Sequence, residues 1–350
     1  MKRPWVLAAF VVTILSATAT ARQFHLDQPF QVRIGDKYGF MDANCQMVVP
    51  AQYSEAFEFS EGLAAVKVGQ KWGYIDRTGG MVVTPQFAGA FQFSGGLASV
   101  RLEETSPVWG FIDKAGMVVV KPQFGMPLWF SEGLVEGYGE KNKILNIPLG
   151  YVDSKGEYVI RLDEPGKQIE FLLGFSEGLA AVSMRAEYAD GSIGSGVWGF
   201  LNHSGEWSIK PSYEAAGSFH EGLAAVKKDG LWGYIDKTNK FVITPRFESA
   251  EEFSEGLAAV KIAGRVGYID KTETVVITPK YENASLFRGG MAAFQSNRKL
   301  GYIDKKGEVI VPPSLDWGTE FVDGVAAVSD SSGYRVVDTA GRTVCRLDRK

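Results

Sequence analysis

Apolar residues in this chain fall in short runs of four to six, each closed by a turn signal. Leu63-Ala64-Ala65-Val66-Lys67-Val68 is followed by Gly69-Gln70-Lys71, then by Trp72-Gly73-Tyr74-Ile75-Asp76. Two apolar runs separated by a short glycine-bearing link predict a β-hairpin. Asp76-Arg77-Thr78-Gly79 predicts the next turn, because Asp bonds backbone amides ahead of it and Gly adopts positive φ freely. Met81-Val82-Val83-Thr84 predicts a third, β-branched strand, ended by Pro85. The stretch from Pro85 through Phe87, Ala90 and Phe93 spaces its apolar residues three apart, which predicts a tight helical or irregular turn. One unit therefore reads as a three-stranded antiparallel meander. In its second strand Trp72 and Tyr74 face one side and Gly73 and Ile75 the other, so neither face is polar. A sheet apolar on both faces is covered on both, here by its neighbours.

The pattern repeats along the chain. With the glycine of Trp-Gly-Tyr as a ruler, copies stand at Gly39, Gly73, Gly110, Gly150, Gly199, Gly233, Gly267, Gly301 and a degenerate Gly333, nine units with a base period of 34. The residue after the ruler glycine reads as aromatic in every copy, from Phe40 and Tyr74 to Tyr302 and Tyr334, a core plate beside a glycine that permits close approach. From each glycine to the next Glu-Gly-Leu leucine position is 24 residues, or 29 before Leu179. The return distance is 10 in four units, but 13, 16 and 20 after Leu97, Leu134 and Leu179. The first hairpin is thus lengthened in three consecutive units, at Glu103 to Val108, Gly139 to Leu149 and Arg185 to Val197.

Phe-Ser-Glu-Gly-Leu-Ala-Ala-Val followed by Trp-Gly-Tyr-Ile-Asp resembles the bacterial WG-repeat proteins over essentially the whole chain past residue 21. The resemblance implies a β-rich repeat scaffold and no single shared activity. The chain departs from the pattern at Leu149-Gly150-Tyr151, at Glu164-Pro165-Gly166 and at Ser332-Gly333-Tyr334. The expected fold is all-β: a tandem array of about nine three-stranded antiparallel units. An open, curved array is favoured over a closed propeller-like toroid. Propeller blades ordinarily have four strands and about 40 to 50 residues, and no circularly permuted blade is visible to close a ring.

Composition adds the compartment. Met1-Lys2-Arg3, an apolar run from Trp5 to Leu15 and Ala17-Thr18-Ala19-Thr20-Ala21 are the parts of a signal peptide, residues 1–21, leaving one repeat domain over 22–350. The apolar run is too short to span a bilayer well, so the exported chain is expected without membrane insertion, in a periplasm or outside the cell. The net charge is −4, and −6 once Lys2 and Arg3 are removed, which disfavours nucleic-acid binding. Cys45 matches the turn position of Gly79 and Cys345 the strand position of Val83. In an oxidising compartment the two would tie the ends of the array together, and otherwise they are ordinary thiols.

Catalytic signatures are missing from the sequence. The three histidines, His25, His203 and His220, have no partner at ligand spacing, and no cofactor or metal site is expected. The glutamates Glu61, Glu132, Glu177, Glu221 and Glu255 and the aspartates Asp42, Asp76, Asp113, Asp153, Asp236, Asp270, Asp304 and Asp338 are periodic, which points to turn bonding rather than to a catalytic pair. Aperiodic residues are better candidates. Insertions in adjacent repeats lie on one face of an array and raise a lip, where Tyr138, Lys141, Arg185 and Tyr188 supply aromatic and cationic contacts to a partner. Trp129 and Trp207 belong to these units and read as lying away from the lip. The expected function is an exported, non-enzymatic scaffold that binds a protein or glycan at the cell envelope. The alternatives are an envelope hydrolase using Glu187 and Asp190, and a purely structural spacer.

Overall fold

The structure is a computed structural model, which describes residues 29–42, 46–138, 148–162, 169–187, 193–322 and 324–347. The segment 1–21 lies outside them. The described residues form nine antiparallel sheets, seven of four strands and two of three, arranged as blades in a ring. Blade two shows the plan: Glu55–Ala56, Leu63–Val68, Lys71–Asp76 and Met81–Phe87, hydrogen-bonded in that order. The molecule is a nine-bladed β-propeller, which corrects the expectation of an open array of three-stranded units.

Two physical facts account for the difference. The segment expected as a helical turn is extended: Pro85 and Phe87 belong to Met81–Phe87, and Gly89–Ser94 is the first strand of blade three. In four blades this first strand pairs over only two residues, as Glu55 with Lys67 and Ala56 with Val66, too short to leave an alternating signature. The chain also passes from a fourth strand to the next first strand with one residue between them, Ala88 in one case and Glu248 in another, so four strands fit in 34 residues. Closure needs no permuted blade. Cys345 is disulfide-bonded in the fourth strand of blade nine. The chain's other cysteine, Cys45, lies outside the described residues.

Eight hydrophobic clusters fill the eight seams between consecutive blades. In each seam the signature aromatic meets the phenylalanine that opens the Phe-Ser-Glu-Gly phrase of the next blade. Tyr74 lies 5.0 Å from Phe93 and Tyr234 4.8 Å from Phe253, tilted or edge to face. The buried hydroxyl of Tyr74 donates to Phe91 O at 2.8 Å, and that of Tyr234 to Glu251 O at 2.7 Å. Burial pushes both phenols far above their ordinary range. Where the aromatic is Phe40 or Phe111, the second strand supplies the bond instead: Gln31 Nε2 donates to Ala56 O at 2.6 Å, and Ser99 Oγ to Leu128 O at 2.8 Å.

The ruler glycine lies under a bulge. Trp72 pairs with Phe87 and Tyr74 with Val83, so Thr84, Pro85 and Gln86 together oppose Gly73. A β-carbon on Gly73 would lie 2.5 Å from Val83 O and 2.8 Å from Pro85 N. Blade nine has no such bulge: Tyr334 pairs with Leu347, Arg335 with Arg346 and Val336 with Cys345. Its register corrects the reading of the last unit. Arg335, not Gly333, holds the ruler position, and Val336 stands where the other blades carry an aromatic ring.

Candidate functional site

Each blade has two ends, and they differ in kind. At one end lie the Glu-Gly turns, between strands one and two, and the Asp turns, between strands three and four. Glu221 and Gly222 both have positive φ, 51° and 86°, giving the primed two-residue turn that matches strand twist. The glutamate bonds forward, to the next blade. Glu221 accepts from Gly256 N at 3.1 Å and pairs with Lys271 Nζ at 3.0 Å, while Lys271 also donates to Glu221 O at 2.8 Å. The same clamp joins Glu61 to Gly96 and Lys114, Glu177 to Gly222 and Lys237, and Glu255 to Gly290 and Lys305. Glu132 bonds Gly178 N, with His203 in the lysine's place. Burial works against ionisation of Glu177, yet Lys237 and the Gly222 amide outweigh it and hold the carboxyl low. Where the glutamate is replaced by Gly95 or Gly289, the next blade has Ser154 or Thr339 instead of lysine. The aspartates serve their own turns: Asp76 Oδ1 accepts from Thr78 Oγ1, Thr78 N and Gly80 N, which lowers its pKa. These periodic carboxylates are committed to architecture.

The opposite end carries the hairpins between strands two and three, and there the blades diverge. In blade five the hairpin strands lengthen to Leu179–Glu187 and Ile193–Asn202, paired as far as Glu187 with Ile193. The insertion is thus an extended ladder rather than a loose loop over its described part. Beside this end, blades two to four share a run of aromatic rings. Trp72 lies 5.4 Å from Phe57, Phe57 5.2 Å from Phe91, and Phe91 5.4 Å from Trp109 and 5.3 Å from Trp129. Phe57, Phe91 and Trp109 are half-buried and Trp129 is 40% exposed. The place of Phe57 and Phe91 is held by Gly217, Glu251, Ser285 and Thr319 in blades six to nine, so the strip is confined to one arc of the ring. Blade five adds Phe171, 59% exposed, stacked on Trp198 at 6.3 Å.

Charges border the strip. Lys67 Nζ bonds Glu55 at 2.6 Å and sits 5.8 Å above the Trp72 ring, and Lys71 pairs with Glu104 at 3.4 Å. Arg101 lies 5.7 Å from the Trp109 ring centre, with its buried Nε free of any hydrogen bond.

Of the four residues expected at the lip, Arg185 is the one with a described side chain, and its Nε bonds Glu170 within the same blade at 3.0 Å. Tyr138 ends the strand Leu134–Tyr138 and pairs across from Pro148. Lys141 and Tyr188 lie outside the described residues, as does Asp190, while Glu187 ends its strand. Sequence reasoning missed the aromatic strip. Its signal is an aromatic ring at Phe57 and Phe91, where blades six to nine carry Gly217, Glu251, Ser285 and Thr319, and at Trp129, where blades two and three carry Glu58 and Gln92. Trp129, read as lying away from the lip, is part of it, whereas Trp207 packs against the core between blades four and five.

A ring of β-blades with one clamped, uniform end and one variable end is the plan of a repeat propeller. The chain belongs to the WG-repeat family: the WG containing repeat matches residues 38–72, 72–105, 109–135, 198–232, 232–265, 267–299 and 301–332, more than half of the sequence. No curated protein matches at the sequence level. Among solved structures the chain is similar to a eukaryotic initiation factor, with a TM-score of 0.56 at 13% identity over 90% of this chain and 94% of that one. The likeness is one of fold. A dihydro-heme d1 dehydrogenase, NirN, aligns with a TM-score of 0.46 at 13% identity over 92% of this chain and 73% of that one. The Dos1 propeller aligns at 0.40 and 12% identity over 88% and 91%.

Proposed function

We propose that this chain is an exported, non-enzymatic WG-repeat scaffold that holds a protein or glycan partner at the cell envelope, through the variable end of blades two to five. The observation that carries the reading is the segregation of aperiodic features. Lengthened hairpins and the connected aromatic rings of blades two to four share one end and one arc, while the other end carries the recurring clamp. Drift in loop length alone gives no reason for aromatic residues to gather in the same arc, and binding residues concentrate on loops and edges held by a rigid scaffold. The basic, apolar and small-residue segments of residues 1–21 support export, and so does a disulfide at Cys345, since such bonds persist in oxidising compartments.

The test compares two surfaces. Full chain, a Trp129→Ala/Phe171→Ala variant and a Lys237→Ala/Lys271→Ala variant are immobilised and exposed to the same envelope extract. Retention of a defined component by the parent and the lysine variant, but not by the aromatic variant, is expected. Equal retention by all three, or equal loss from both variants with unchanged melting, sinks the reading. Fractionation with N-terminal sequencing tests export, and the expected first residue is Arg22.

A further inference from the structure

We infer that the aromatic strip of blades two to four is a carbohydrate subsite, in which the apolar faces of successive sugar rings lie on Phe57, Phe91 and Trp129 and a sugar oxygen accepts from Arg101. This rests on the binding-scaffold reading above and names its ligand class.

Three observations carry it. The rings follow one another at 5.2 to 5.4 Å, with Trp129 edge-on to Phe91 at 88°, so the strip presents a stepped series of apolar surfaces rather than one flat patch. A pyranose has that complement, an apolar face of C–H groups bounded by hydroxyls. The charges beside the strip are matched: Lys67 is neutralised by Glu55 and Lys71 by Glu104. At these two pairs a strongly charged peptide therefore gains little, while carboxylate and ammonium side by side offer acceptor and donor to neighbouring hydroxyls. The remaining cation, Arg101, lies at the margin of Trp109 with its buried Nε unpartnered, so its guanidinium is the donor in the strip that neither ion pair uses.

A polypeptide strand fits less well. Strand addition needs free backbone acceptors along a sheet edge. On the first-strand segments that carry the strip, several are already taken. Ala56 O accepts from Gln31, Glu58 O from Gln92 at 3.1 Å, Phe91 O from Tyr74, Phe93 O from Ser60 at 2.7 Å, Leu128 O from Ser99 and Phe130 O from Ser94 at 2.7 Å.

Calorimetric titration of the full chain with cellohexaose, maltohexaose and a galacturonate hexamer tests the inference. Arg101→Gln, Trp129→Ala and, as a control, Trp317→Ala are titrated alongside; Trp317 is 47% exposed on the first strand of blade nine. Saturable binding of at least one hexamer is expected, weakened at least tenfold by Trp129→Ala and unchanged by Trp317→Ala. A neutral hexamer should bind equally at low and high salt, whereas preference for the uronate, lost in Arg101→Gln, identifies an acidic glycan. Binding of a proline-rich peptide in place of every hexamer, with the same Trp129 dependence, overturns the inference in favour of a polypeptide. If no hexamer binds at millimolar concentration while the envelope component is still captured, the glycan assignment is wrong and the scaffold reading survives. If capture fails as well, both fall.

Discussion

At the residue scale, the ruler glycine answers to the bulge that faces it. In blade six a β-carbon on Gly233 would lie 2.5 Å from Ile243 O and 2.7 Å from Pro245 N, both backbone atoms that a rotamer change does not move. Gly233→Ala should therefore destabilise by about 1 to 3 kcal/mol, the usual cost of overpacking, seen as a lower urea midpoint. Gly217 is the internal control. A β-carbon there meets nothing nearer than Ala225 O at 3.9 Å, so Gly217→Ala should be neutral or stabilise by up to about 1 kcal/mol. Equal midpoints for the two variants would remove the bulge as the reason for the glycine. Blade nine supplies the natural counterpart. Its fourth strand, Thr343–Leu347, lacks both proline and bulge at this place, and Arg335 is accommodated there, ion-paired with Asp330. The Ser332 hydroxyl, and after it that pair, holds the Asp330 carboxyl well below the ordinary range.

At the scale of strands and seams, Glu136 is the exception in an apolar row. It pairs across from Tyr151, as Ala65 does from Tyr74 and Ala225 from Tyr234, and so lies in the interface between blades four and five. Burial raises its carboxyl from 4.5 to about 7, and burial, with the Glu136 charge adding to it, raises Tyr151. The native carboxyl keeps a proton that the unfolded chain has already lost. Stability present below about pH 4.5 is therefore lost as pH rises towards about 7. The full shift is worth at most about 3 kcal/mol, since Glu136 retains some solvent contact. Glu136→Gln should match the parent near pH 4 and exceed it in urea resistance at pH 8, and parallel curves across that range would refute the assignment. Much of this scale was legible in the sequence. The period, the three longer strands, the turn role of Asp76 and the close approach at Gly73 all follow from residue types at fixed spacing. The first strand did not, because Glu55–Ala56 pairs over two residues and its neighbouring phenylalanines mimic helical spacing. Nor did the role of Glu61 and its equivalents, whose carboxylates bond the next blade, since a repeat conceals which copy a side chain reaches.

At the scale of the whole molecule, the question is what joins blade nine to blade one. Around the ring the Asp-turn glycine of one blade rests on a fourth-strand residue of the blade before it. A β-carbon on Gly79 would lie 3.1 Å from Val49, on Gly116 2.8 Å from Val83, on Gly205 2.9 Å from Ile160 and on Gly307 3.0 Å from Ile277. In sequence Cys45 holds the glycine's place in blade one. Cys345 holds the partner's place in blade nine, since it pairs with Val336 as Val83 pairs with Tyr74. A bond between these two places would be the recurring seam contact made covalent, and Cys45 is the other cysteine of the sequence. The loop so closed spans nearly the whole array, for which chain-entropy arguments give a stabilisation on the order of 5 kcal/mol. The denatured, unreduced protein should accordingly show no reactive thiol, and two after reduction. Reduction or Cys345→Ser should lower the melting temperature. The eight apolar seams remain, so the reduced ring should loosen at one place and raise the radius of gyration in small-angle scattering without unfolding. Two free thiols in the unreduced protein, or identical scattering before and after reduction, would mean that side-chain packing alone closes the ring.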